Sequence, residues 1–159
     1  MERALSPPVE APRTTASATS PLRRFLRMFD RLAPDACADL FAADGRLRFG
    51  DDRGAEGRAE VREQLSSYFS DLRWTEHQVG EHWRLDRVCI CEVEARYVLC
   101  DGSLLGPIPK VFVARTRDGA IEDLRVYSAG EPSFHEALIR HERERRRGDR
   151  VRGRWIPPL

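Results

Sequence analysis

His77, Glu81 and Tyr97 are the side chains through which this chain could move protons. A histidine titrates near neutrality and carries a proton in either direction. A carboxyl group among apolar neighbours has a raised pKa, and Glu81 stands between Val79 and Trp83 in the sequence. A tyrosine hydroxyl donates a hydrogen bond to an oxygen that is gaining negative charge. Together the three suit enolisation, aldol cyclisation, dehydration or isomerisation of a carbonyl compound. His77 and Glu81 are four residues apart, about 13 Å along one strand, so they would serve opposite ends of a ligand. A second reading stands beside this one: a histidine near a strand start is often a structural group, and a core tyrosine often only places its hydroxyl at a pocket rim.

The elements that must position these residues emerge from periodicity. Residues 1–19 are rich in Pro, Ala, Ser and Thr without period, and read as a flexible leader. Ser20-Pro21 opens a helix with Leu22, Phe25, Leu26, Phe29 and Leu32 at helical spacing. Pro34 starts a second helix, with Ala36, Cys37, Leu40 and Phe41 on one side, expected to end at Asp44-Gly45. Arg46 to Phe49 reads as a short strand, and residues 50–57 as a polar loop. A third helix carries the stripe Val61, Leu65, Tyr68, Phe69 and Leu72.

From there the period is two. A long strand is expected from Arg73 to Leu85, with His77, Val79, Glu81, Trp83 and Leu85 on one face. The next, Val88 to Cys100, carries Cys91, Val93, Ala95, Tyr97 and Leu99 on one side. Asp101-Gly102 and Asp118-Gly119 are hairpin turns. Pro107 and Pro109 are expected to delay the third strand until Lys110, and a last strand runs from Ala120 to Tyr127. Ser133 with Glu136 fits a capping box for a C-terminal helix. The domain is thus expected over residues 20–134, with a helix and an arginine-rich tail over residues 135–159. The fold class is α+β: about three N-terminal helices on a curved, mostly antiparallel sheet, a cone around a pocket.

Composition narrows the partners. The net charge of +1 gives no global pull toward nucleic acid or acidic lipid. Of the 27 basic residues all but Lys110 are arginine, which reads as codon composition. Glu142, Glu144 and Asp149 interrupt the arginines of the tail, so a solvated or subunit-wrapping tail is expected rather than a nucleic-acid contact. Cys37, Cys89, Cys91 and Cys100 have no partners at zinc spacing and read as small buried hydrophobes. No phosphate loop or metal-ligand cluster is visible, so no cofactor and no metal are expected. No stretch reaches the roughly 18 apolar residues of a membrane span, and there is no signal-peptide core. The expected setting is cytoplasmic and reducing.

The order of these elements resembles the SnoaL-like branch of the nuclear transport factor 2-like superfamily. The residues that carry it are Leu40 to Gly45, Gly57-Arg58 with Val61, Glu76-His77 with Trp83, Tyr97 to Gly102, and above all Asp118 to Tyr127. The resemblance covers residues 21–134 and implies a homodimer and a pocket for a small apolar ligand. It also implies what is missing. Ketosteroid isomerases of this fold use a carboxylate base, a tyrosine and a protonated acid; the matching positions here hold Phe49, Phe25 and Phe112. The arginine and two aspartates of limonene-type epoxide hydrolases would fall near Ala95, Tyr97 and Val126. SnoaL-type cyclases use an aspartate and a histidine, and no inward aspartate is expected here. The reading is a cofactor-independent cyclase, isomerase or dehydratase acting on a small apolar carbonyl or polyketide-like substrate. Its catalytic residues would be His77, Tyr97 and Glu81, and its pocket would be lined by Phe25, Phe49, Tyr68, Trp74, Trp83, Phe112 and Val126. The alternative is a non-catalytic ligand-binding or dimerisation module of the same fold.

Overall fold

A computed structural model describes residues 20–50 and 53–129. The leader over residues 1–19, the C-terminal helix and the arginine-rich tail lie outside the described residues.

The first helix, α1, is Pro21–Asp30. Its start is built as the sequence requires: the Arg23 N–H donates to the Ser20 side chain at 3.2 Å, and Pro21 occupies the first turn, where no amide hydrogen is needed. Leu22, Phe25, Leu26 and Phe29 face the core. The chain then turns into α2, Pro34–Ala38. This helix is shorter than the expected one. Instead of continuing to Asp44, the chain enters strand β1, Phe41–Phe49. Pairing with the end of the chain outcompetes the helix: Phe41 lies beside Ile121, whose N–H donates to the Leu40 carbonyl at 2.8 Å. The strand is irregular between Phe41 and Arg46, and Gly45 sits so close to the Ile121 carbonyl that a Cβ would clash with it. The expected loop holds a two-residue strand, β2, Ala55–Glu56, before α3, Gly57–Phe69.

The long strands come next: β3 (Leu72–Leu85), β4 (Val88–Leu99), β5 (Leu104–Arg117) and β6 (Ala120–Ser128). The sheet order is β2-β1-β6-β5-β4-β3, with β1 and β6 parallel and the other neighbours antiparallel. Residues Cys89, Cys91, Val93, Ala95, Tyr97 and Leu99 of β4 are buried, and those between them are less so. This two-residue alternation gives the sheet one inner face, which meets α1 and α3. The architecture is therefore α+β, the cone expected from the sequence. No helix among the described residues is long and apolar enough to cross a membrane.

The third long strand begins earlier than expected, at Leu104 rather than Lys110. Pro107 and Pro109 are tolerated because β6 pairs with β5 only from Lys110 onward. The preceding segment has β4 on one side and, among the described residues, no strand on the other, the edge setting in which a missing N–H costs no ladder bond. A bulge lies there, between the pairs Ala95–Ile108 and Tyr97–Leu105. Gly106 holds it at φ +107°, and a Cβ would run into the Ala95 carbonyl oxygen. We expect Gly106→Ala to lower stability by about 1–3 kcal/mol, the usual cost of a strained backbone site. The check is a lower urea midpoint at unchanged slope; an unmoved midpoint would show that the bulge relaxes freely.

Candidate active site

The polar centre of the described residues is a group of four side chains under α1, three of them linked by hydrogen bonds. His77 projects from β3 onto the inner face and is 7% exposed. Its Nδ1 lies 2.6 Å from Oδ1 of Asp30, the last residue of α1, while the His77 backbone N–H donates to Oδ2 of the same carboxylate at 3.2 Å. A carboxylate can only accept, so Nδ1 carries the hydrogen and Nε2 presents its lone pair. That lone pair meets the Tyr97 hydroxyl at 3.2 Å, with Tyr97 donating. The Tyr68 hydroxyl, from α3, is buried beside this pair and interacts electrostatically with Tyr97. Both donors in this relay point one way: Tyr97 to His77, and His77 to Asp30.

The surroundings are aromatic. The Phe29 ring stands edge-on to His77 at 5.0 Å between centroids, and Phe112 at 5.7 Å. Phe49 stacks on Tyr68 at 5.3 Å. Burial in this shell lowers the His77 pKa below 6.5, against the Asp30 bond and charge, which pull it up. Burial also raises both phenols well above the usual tyrosine value. At neutral pH the site therefore holds a neutral imidazole, two neutral phenols and a partly exposed carboxylate.

A fifth group completes the cluster. Lys110, on the inner face of β5, is 4% exposed, and its Nζ lies 5.0 Å from the centroid of the Tyr97 ring. Burial brings its ammonium down from 10.5 to about 7.

A family profile described as a SnoaL-like domain matches residues 14–83, which include Asp30 and His77. Solved structures match along the strands beyond. A Catenulispora acidiphila protein of ketosteroid isomerase-like fold, bound to trimethylamine, superposes with a TM-score of 0.62 at 16% identity, covering 67% of this chain and 83% of its own. A Jannaschia protein named as a SnoaL-like polyketide cyclase gives 0.61 at 15% identity, over 79% and 94%. Over residues 14–83 this chain is similar to a SnoaL-like domain, and its fold is the one these solved structures share. An LEH-like epoxide hydrolase of M. tuberculosis gives 0.63 at 13% identity, over 80% and 92%. At such identities these likenesses speak for the fold alone. No curated protein matches the sequence.

The structure brings together only part of the site expected from the sequence. His77 and Tyr97 meet, and Phe25, Phe49, Tyr68, Phe112 and Val126 are all buried in the inner core. Glu81 and Trp83 do not join them. Val79 pairs with Val93 but His82 pairs with Cys91, so β3 holds one extra residue at Gly80-Glu81. A bulge of one residue moves every later side chain to the other face. Glu81 is left exposed, Trp83 pairs with Ile90 on the outer face, and His82 takes the inward position opposite Cys91. A second bulge, between Leu72 and Trp74, turns Trp74 outward, where it is 44% exposed. Asp30 is the reverse correction, an inward aspartate where none was expected. The signal for the first bulge was in the sequence, since a glycine inside a strand marks such irregularities.

An open hollow of about 720 Å³ lies at the far end of β6. Gln78, Glu94, Val111 and Tyr127, among its lining residues, project from the sheet face opposite His77 by the alternation of their strands. Lys110 and Ser128, which pair across β5 and β6, also border it.

Proposed function

We propose that this chain is a cofactor-independent SnoaL-like enzyme of the cyclase, isomerase or dehydratase type, acting on a small apolar carbonyl or polyketide-like substrate. The observation that supports it is the oriented relay from Asp30 through His77 to Tyr97. Asp30 holds the imidazole in the one tautomer that leaves Nε2 free of hydrogen, and it stabilises the imidazolium that forms when Nε2 takes a proton. The Tyr97–Nε2 contact of 3.2 Å is long for a hydroxyl donor, so a substrate that draws the Tyr97 hydroxyl away opens Nε2. His77 is then the base that removes a proton next to the substrate carbonyl. Tyr97 turns its O–H to the carbonyl oxygen as charge collects there. Glu81 has no part in this chemistry. A small apolar carbonyl ligand and a second copy of the chain are the partners this reading takes from its family.

The non-catalytic alternative would have a filled or purely apolar interior, with His77 and Tyr97 satisfied by backbone groups. The His77 ring bonds to the Asp30 and Tyr97 side chains, and that contact supports the enzyme.

The test is exchange of the α-protons of 1-phenylpropan-2-one, 2-tetralone and phenylacetaldehyde in heavy water, monitored by proton NMR. The native chain is expected to speed exchange of at least one of them above buffer. His77→Ala is expected to abolish the gain while remaining folded, and Glu81→Gln to leave it intact. No acceleration of any of the three, or acceleration that survives in His77→Ala, would sink the proposal.

A further inference from the structure

Lys110 is the one lysine of a chain that otherwise meets every need for positive charge with arginine. Arginine stays protonated in proteins, whereas lysine can shed its proton and become a nucleophile. The exception is placed where that difference counts. Lys110 sits in the inner row of β5, two residues before Phe112, whose ring touches His77. Its amine lies over the Tyr97 ring, and the Tyr97 hydroxyl is bonded to His77 Nε2. Lys110 pairs with Ser128, and both residues border the open hollow on the other face, while the Lys110 amine lies on the inner face with the relay. Cation-binding alone does not call for this arrangement, because a buried ammonium is costly and an arginine would stack on the ring as well.

We propose that the Lys110 amine is a covalent ligand site, which condenses with the carbonyl group of a small apolar aldehyde or ketone to form an imine. The Nζ lone pair attacks the carbonyl carbon, and the C=O π electrons pass to oxygen. One proton moves from nitrogen to that oxygen to give a carbinolamine. A second proton, delivered through Tyr97 and His77, lets the C–O bond break, and water departs. The nitrogen loses its remaining proton back to the relay, leaving C=N. Carbonyl and amine give imine and water, with no change of oxidation state. The depressed pKa of Lys110, near 7, leaves a large share of the amine unprotonated at neutral pH. The Asp30 carboxylate, the His77 imidazole and the Tyr68 and Tyr97 phenols are the titrating groups that share this space. Imine formation deepens the proposed function and rests on it only for the later step, in which His77 would remove a proton made more acidic by the C=N bond.

The experiment is reductive trapping. The native chain is incubated at pH 7 with phenylacetaldehyde and sodium cyanoborohydride, and peptide mass mapping locates any added phenethyl group. The expected result is stoichiometric labelling of Lys110 in the folded protein, faster than that of Nα-acetyl-lysine under the same conditions, and its complete loss in Lys110→Met. Labelling confined to the α-amine, or labelling of Lys110 no faster than the free model amine, overturns the inference. The two readings fail separately. Trapping at Lys110 with no His77-dependent proton exchange would keep the imine and remove the enzyme. Exchange that persists in Lys110→Met, with no trapping in the native chain, would do the opposite.

Discussion

Asp30→Asn is expected to slow turnover of any carbonyl compound that the native chain accepts by about 100-fold or more, the range for loss of a positioned acid–base group. The substitution is nearly isosteric, so the packing of α1 against β3 should survive. What changes is the hydrogen-bond code. The carboxylate can only accept, which fixes the hydrogen of His77 on Nδ1. An asparagine amide can present its NH2 group instead, and the imidazole then moves its hydrogen to Nε2, where it can no longer take a proton from substrate or accept one from Tyr97. The effect should fall on kcat and leave KM nearly unchanged, since Asp30 lies behind the imidazole rather than against a ligand. A pH profile separates this from a structural role. Burial lowers the His77 pKa and Asp30 partly restores it, so native activity should fall as pH drops through a value below 6.5. Without Asp30 the acid limb should move to still lower pH. Stability should track the same group. A depressed folded-state pKa means that the unfolded chain binds the proton first, so the contribution of His77 is present above pH 6.5 and is lost as pH falls through the folded value. A normal rate in folded Asp30→Asn, with an unshifted acid limb, would remove Asp30 from the chemistry.

How far this site was legible depends on what each residue asked of the sequence. His77 and Tyr97 could be placed because strand alternation is a local pattern, and both strands keep it through the pairs Thr75–Tyr97 and His77–Ala95. Glu81 and Trp83 were misplaced by the same pattern, because one extra residue at Gly80-Glu81 reverses parity and alternation carries no memory of an insertion. Asp30 was invisible for a different reason. It ends an amphipathic helix, where an acidic residue reads as solvated, and its partner is 47 positions away. Only packing of α1 across β3 joins the two. The helix boundary at Ala38 was lost to a long-range contact as well, the pairing of Phe41 with Ile121. Lys110 was legible in principle. It alternates with Phe112, Ala114 and Thr116, all buried, but a lysine at the start of an apolar face is more easily taken as its solvated end.

That buried lysine carries the second large effect. Lys110→Met is expected to make the protein more stable, by roughly 3–5 kcal/mol near pH 6, the linkage value of a pKa lowered from 10.5 to about 7. Methionine fills nearly the same unbranched volume without a charge, so the substitution removes a desolvation cost and creates no cavity. The gain should depend on pH in a defined way. Between pH 7 and 10.5 the unfolded chain still holds a proton on Lys110 that the folded chain has released, so native stability rises with pH across that window. The advantage of the variant should therefore shrink from pH 7 upward and nearly vanish by pH 10.5. Tyr68 and Tyr97 act in the other direction above pH 10, because their folded values are raised and their contribution is lost as the unfolded chain ionises. Both proteins keep these tyrosines, so the difference between them isolates the lysine. Urea unfolding of the pair at pH 6, 8 and 10 is the measurement. An advantage that stays flat with pH would mean that Lys110 titrates normally, and a variant less stable at pH 6 would mean that the ammonium is held by contacts worth more than its burial costs. A shrinking advantage would instead identify an amine kept at the expense of the fold, and such groups persist where chemistry needs them.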